Sequence, residues 1–244
     1  NTDAVGSYSV TYSVSDANGN AAVEVVRTVK VVDTTVPVIT LSGDSTVTHE
    51  SKETYVDGGA RASDTLDGNL TGTVKSVSTV NTDLVGSYSV TYRVSDANGN
   101  AAVEVVRAVK VVDTTVPVIT LSGDSTVTHE SKETYVDGGA RASDTLDGNL
   151  TGTVKSVSTV NTDVVGSYSV TYSVSDANGN AAVEVVRAVK VVDTTVPVIT
   201  LSGSSTVTHE AKGAYVDAGA KASDTLDGDL SSSVTRVSTV NTDA

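Results

Sequence analysis

The chain has 244 residues, no cysteine, a formal net charge of −14 and a pI near 4.4. The acidity argues against nucleic acid, which calls for a basic footprint, and against anionic membrane surfaces, while the lack of cysteine removes disulfides and thiol catalysis. No apolar run approaches the roughly 18 residues that span a bilayer, so direct membrane insertion of this segment is not expected.

The chain also copies itself. Asn1-Thr2-Asp3 recurs at Asn81, Asn161 and Asn241, a period of 80 residues. Residues 1–80 and 81–160 differ only at Ala4/Leu84, Ser13/Arg93 and Thr28/Ala108. Self-similarity at a fixed period means an array of one supersecondary unit. Each unit is small, and with no Phe, Trp or Met its core must come from Val, Ile, Leu, Ala and nine Tyr. Val and Thr dominate, and β-branching favours strands. The chain opens inside a repeat, so the lack of a visible leader leaves export open.

Taken in chain order, residues 1–35 read as the last two strands of a unit. At Val31-Val32-Asp33-Thr34-Thr35-Val36-Pro37 an apolar strand ends, and a proline opens the next. The three prolines (Pro37, Pro117, Pro197) all lie in this motif, and proline is tolerated at the first residue of a strand. Units starting near Val36 divide the chain into a C-terminal part (1–35), complete units at 36–115 and 116–195, and an N-terminal part (196–244). Each partial unit then leaves an apolar face unfinished.

Within a unit, strands are expected at Val38–Leu41, Ser45–Glu50, Ala60–Ser63 and Val74–Val80. Ser87–Ser95 follows with strict alternation that turns Tyr88, Val90, Tyr92 and Val94 to one face. Arg93 for Ser13 then falls on the solvated face. Asp96-Ala97-Asn98-Gly99-Asn100 is a hairpin signal, and Ala101–Val112 is the returning strand, with a bulge or a register adjustment expected at the doubled Val105-Val106. Tyr88 and Tyr92 are expected in the core with hydroxyls near the rim, one of them as a tyrosine corner. Seven or so short strands per unit, without helical periodicity, give an all-β chain of tandem β-sandwiches.

The carboxylates and amides of the loops are the candidate chemistry. In a seven-stranded sandwich, the loop after the second strand, the loop between the last two strands and the entering linker share one end. Asp33, Asp64, Asp67, Asp96, Asn98 and Asn100 are therefore expected to converge, and so is the copied set Asp113, Asp144, Asp147, Asp176, Asn178 and Asn180. Calcium takes six to eight such oxygens, and carboxylates gathered without a cation repel. The alternative is turn chemistry alone, since Asp, Asn and Gly tolerate turn conformations and cap their own backbone.

No enzyme site is expected. His49 and its copies His129 and His209 stand alone in each unit, beside Glu50 and its copies, and a transition-metal site needs more donors. Nothing local sets up a Ser-His-Asp triad. Lys30 alternates with inward valines and should face out, away from any buried Lys–Asn crosslink.

Asp33-Thr34-Thr35-Val36-Pro37-Val38-Ile39-Thr40-Leu41, Tyr55-Val56-Asp57-Gly58-Gly59-Ala60, Ala62-Ser63-Asp64-Thr65-Leu66-Asp67-Gly68 and the stretch from Val85 to Ala101 together resemble the bacterial surface immunoglobulin-like repeats, cousins of hyalin-type repeats. The resemblance covers the whole chain. It implies immunoglobulin-like sandwiches in an extended array, on the bacterial cell surface or secreted, often within an adhesin, with no common enzymatic activity. The reading is a structural spacer or stalk. Its alternatives are a filament subunit whose terminal halves complete each other head to tail, and a module binding glycan or host protein. The expected partners are neighbouring identical repeats.

Overall fold

The computed structural model describes residues 3–241, so the outermost residues of segments 1–35 and 196–244 lie outside the description. It divides into two compact units, Asn1–Thr114 and Thr115–Ala244. The first unit opens with a hairpin, β1 (Gly6–Tyr12) and β2 (Val25–Val31). Seven strands follow: β3 (Val38–Leu41), β4 (Thr46–Glu50), β5 (Ala60–Asp64), β6 (Gly68–Asn69), β7 (Lys75–Ser78), β8 (Gly86–Arg93) and β9 (Val105–Val112). A single 3-10 turn, Thr71–Thr73, is the one helical element in this unit among the described residues.

The seven strands form two sheets, β3-β5-β6 and β4-β9-β8-β7. All pairings are antiparallel except β4 with β9, which is parallel from Thr46↔Ala108 to Glu50↔Val112. The core lies between the sheets. Ile39 and Ala62 of the small sheet meet Val90, Tyr92, Val109 and Val111 of the large one, with Val94 just beyond β8. The alternation of β8 puts Tyr88, Val90 and Tyr92 on this inner face, and it puts Arg93 outside in an ion pair with Glu104 at 2.6 Å.

The second unit repeats the pattern with β10 (Val118–Leu121), β11 (Thr126–Glu130), β12 (Ala140–Asp144), β13 (Gly148–Asn149), β14 (Lys155–Ser158), β15 (Gly166–Ser173) and β16 (Val185–Val192). It then adds a three-stranded sheet of β17 (Val198–Leu201), β18 (Ala220–Asp224) and β19 (Gly228–Asp229).

One strand expectation needs correction, and one is decided between its two alternatives. The returning strand begins at Val105, not Ala101. Ala101 makes an isolated bridge with Ser95, Ala102 N–H donates to Val94 O at 2.9 Å, and the chain crosses to β9 outside the ladder. There is no bulge at Val105-Val106, because the β8–β9 register runs unbroken from Gly86↔Val111 to Tyr92↔Val105. The doubled valine spans the phase change between the loop and a regularly alternating strand.

Candidate functional site

Three chain segments meet at one end of the first sandwich. The turn after β5 is tied by Asp64, whose Oδ1 accepts the N–H groups of Leu66 at 2.8 Å and Asp67 at 3.2 Å. The β8–β9 turn is tied by Asp96, whose Oδ1 accepts from Asn98 N–H (2.9 Å) and Asn100 N–H (2.7 Å) and whose Oδ2 accepts from Asn100 Nδ2 (2.7 Å). Gly99 sits in this turn at φ 91°, a conformation that glycine adopts without Cβ strain. Asp33, between β2 and β3, accepts from the Thr35 hydroxyl at 2.6 Å.

The segments are stitched to each other as well. Ala97 N–H donates to Asp67 Oδ2 at 2.8 Å, Asn98 Nδ2 to Asp33 Oδ2 at 3.2 Å, and Asn100 Nδ2 to the Asp33 carbonyl at 3.2 Å. One carboxylate oxygen from each of Asp33, Asp64, Asp67 and Asp96 lies within 4.8 Å of the others. Backbone N–H groups of Asp67 and Leu66 hold Asp64 below the ordinary carboxylate pKa. Burial opposes ionisation of Asp96, but the Asn100 amide and the Asn100 and Asn98 N–H groups outweigh it, so its pKa is lowered too. Hydrogen bonds to the charged form have that effect. Asp64 and Asp96 are thus held in the charged form that serves as a hard oxygen donor.

In the second unit Asp144, Asp147 and Asp176 approach one another in the same way, with Ala177 N–H on Asp147 Oδ2 at 2.7 Å. Asn178 and Asn180 cap Asp176 through their N–H groups at 2.9 and 2.7 Å. Asp113 is buried just after β9 in the first unit. A third cluster joins Asp193, Asp224 and Asp227, of which Asp224 is lowered by the Asp227 and Leu226 N–H groups.

A second constellation escaped the sequence reading. Arg107 on β9 is 2% exposed and points into the sandwich. Its Nη1 meets Asp57 Oδ1 at 2.5 Å and the Tyr92 hydroxyl at 3.1 Å. Nε donates to Asp44 O at 2.9 Å, and Nη2 to Ser42 O at 2.7 Å and Gly59 O at 3.3 Å. Tyr92 also donates to Asp57 Oδ2, so its hydroxyl is locked in the interior and does not sit at the rim. Burial and the Asp57 carboxylate push the Tyr92 pKa up to about 12. Asp57 is lowered: burial works against it, while Tyr92 and Arg107 prevail. Arg187, Asp137 and Tyr172 repeat the arrangement in the second unit.

A signal for Arg107 existed. It shares the parity of Val105, Val109 and Val111, which are inward, whereas Lys110 shares that of Ala108, which is outward. Lys30 and Lys110 are exposed as expected. The tyrosine-corner role belongs to Tyr88, whose hydroxyl donates to Leu84 O at 2.9 Å. His49 is partly exposed beside Glu50 on β4. Its ring packs edge-on to Tyr55 at 5.3 Å and its Nε2 lies 3.2 Å from Glu53 O, while Glu50 accepts from Thr114.

Two sandwiches with the same core, latch and acidic end define a tandem immunoglobulin-like array. The family model "Bacterial surface protein, Ig-like domain" matches residues 39–111 and 119–191, more than half of the sequence, and the chain belongs to that family. No curated protein matches. Among solved structures, the chain is similar to the M60 catalytic domain with two CBM51 domains from Clostridium perfringens ZmpB, at 16% identity and TM-score 0.39, covering 84% of this chain and 36% of that one. It is also similar to a lipoprotein from Bacteroides thetaiotaomicron, at 13% identity and TM-score 0.29, covering 62% of this chain and 99% of that one. The chain thus spans little more than a third of the first structure's length. Among the described residues, no helix is long and apolar enough to cross a membrane.

Proposed function

We propose that the chain is a load-bearing spacer in an extracellular bacterial surface protein, acting by repetition and without catalysis. The parallel pairing of β4 with β9 carries this reading. β4 lies near the start of the sandwich and β9 at its end. Tension applied through the two ends pulls these parallel strands in opposite senses along their length. The ladder bonds are then loaded together in shear and do not open one at a time. The Arg107 latch adds a tie between the two sheets. Family membership supports the surface location.

The same reading includes a hard cation, calcium, held by the acidic ends of the sandwiches. Its support is the approach of carboxylates from three separate segments, together with the repulsion they exert on one another without a counter-charge. Pulling a single chain by its ends tests the spacer role. Each complete sandwich is expected to resist and yield in its own force peak, and a chain that extends without peaks contradicts the proposal.

A further inference from the structure

The outer face of the small sheet takes no part in the core, the latch or the acidic end. Ile39 and Ala62 turn inward, so alternation turns Val38, Thr40, Arg61 and Ser63 outward. Register brings these side chains together: Thr40 lies opposite Arg61, Val38 opposite Ser63, and Ser63 opposite Asn69. With Thr71 they line an open groove of about 490 Å³, and the copied residues of the second unit line one of about 480 Å³. Both volumes fall in the range that takes a small ligand.

The groove is rich in unused donors and free of acid. Of the three arginines in the first sandwich, Arg93 pairs with Glu104 and Arg107 is latched to Asp57. Arg61 is exposed and makes no hydrogen bond or ion pair among the described residues, and neither do the Thr40 and Ser63 hydroxyls. Asn69 Oδ1 accepts the Thr71 N–H at 3.0 Å, which leaves Nδ2 to the groove. No lining residue carries a carboxylate, in a chain with 30 Asp and Glu. A free guanidinium in a patch without acids calls for an anionic occupant.

The third copy of this face balances its own charge. Lys221, Asp229 and Ser231 stand where Arg61, Asn69 and Thr71 stand, and Asp229 lies opposite Ser223 as Asn69 lies opposite Ser63. The Ser231 hydroxyl and N–H hold the Asp229 pKa down, and the charge of Lys221 adds to this. That cation already faces a carboxylate.

We propose that the outer face of the small sheet in each complete sandwich binds an acidic saccharide, with Arg61 and Arg141 taking the sugar carboxylate. A guanidinium fork matches a carboxylate with two parallel charge-assisted bonds. The Thr40 and Ser63 hydroxyls and the Asn69 amide answer the sugar hydroxyls, and Val38, 63% exposed, lies under C–H groups of the ring. The backbone groups of the three strands lie in the plane of the sheet, so the face offers side chains alone. A peptide adding as a strand would need an edge. Each complete unit carries the groove, so a polymer of acidic sugars meets it more than once along the chain.

Titration of the 244-residue chain with glucuronate, glucose and acetate in separate series, followed through backbone amide NMR signals, tests the proposal. Glucuronate is expected to move the amides of Thr40, Arg61, Ser63 and Asn69 with their second-unit copies, and to leave Lys221 and Asp229 in place. Glucose and acetate, each with half of the recognised chemistry, should move them far less. Arg61→Gln with Arg141→Gln should weaken glucuronate binding about tenfold or more, as expected for losing hydrogen bonds to a charged group. Asn69→Asp with Asn149→Asp copies the charge pattern of the third face and should weaken binding in the same sense. All four residues are exposed, so an unchanged thermal melt verifies that each variant is folded, and if one pair fails that control the other still decides. Glucuronate that moves no groove amide overturns the proposal. So does acetate or glucose that moves them as far, and so does binding that neither double variant weakens.

Discussion

Arg107 reaches from β9 across the sandwich interior to Asp57, on the segment between β4 and β5, at 2.5 Å. The pair ties β9 of the large sheet to the segment that leads into β5 of the small one, beside the apolar contacts that Ile39, Leu41, Ala60 and Ala62 make with the core. A buried guanidinium is stable only if its donors are answered. Here one carboxylate, one phenol and three backbone carbonyls answer it.

Removing one partner strands a buried charge. Asp57→Ala is expected to destabilise its sandwich by about 3–5 kcal/mol, whereas Arg107→Met, which removes the charge and fills the space, should cost much less. Urea unfolding monitored by circular dichroism gives both numbers. Equal losses contradict the latch account.

The latch sets a pH window. Tyr92 and Tyr172 have pKa values raised to about 12, against about 10 for a free phenol. Their contribution is full below pH 10 and is lost as pH rises from 10 towards 12, because the unfolded chain releases the proton first. Asp57 and Asp137 are lowered, so their contribution is full above about pH 4 and is lost as pH falls below that. Melting temperature against pH should show both limbs. Tyr92→Phe with Tyr172→Phe should flatten the alkaline limb and also shrink the acid limb, since the two hydroxyls help to hold Asp57 and Asp137 down.

Gly58 is needed for close approach, since a Cβ there lies 2.6 Å from Ser42 O and 3.3 Å from the Arg107 guanidinium. Gly58→Ala should cost about 1–3 kcal/mol, the range for forcing a group into a packed site. The control is Gly72→Ala, where an added Cβ meets nothing within 4 Å. Similar losses at both positions contradict the slot geometry.

The acidic ends make a separate prediction. Millimolar calcium should raise the melting temperature relative to excess chelator, because a ligand that binds only the folded state stabilises it by mass action. Asp67→Asn with Asp147→Asn should shrink the shift. Identical melts in calcium and chelator leave the acids as turn residues.

Much of this was legible in the sequence because alternation is a strong signal. Tyr88-Ser89-Val90-Thr91-Tyr92 announced its inner face, and Asn98-Gly99 announced its hairpin. Loop positions in a seven-stranded sandwich also brought Asp33, Asp64, Asp67 and Asp96 to one end. The latch stayed hidden for physical reasons. Arg107 lies in a strand that also carries Lys110, and only the phase of the alternation separates the buried cation from the solvated one. Asp57 sits in Tyr55-Val56-Asp57-Gly58-Gly59, which reads as a turn; nothing local reveals that the carboxylate faces a residue 50 positions away.

Stretching single chains from end to end tests the spacer role most directly. The account predicts two force peaks, each followed by a contour gain of roughly 250 Å, as expected for about 75 residues at 3.3–3.6 Å apiece. Asp57→Ala should lower only one of the peaks. Smooth extension without peaks, or peaks indifferent to that substitution, contradicts a load-bearing sandwich tied by its latch.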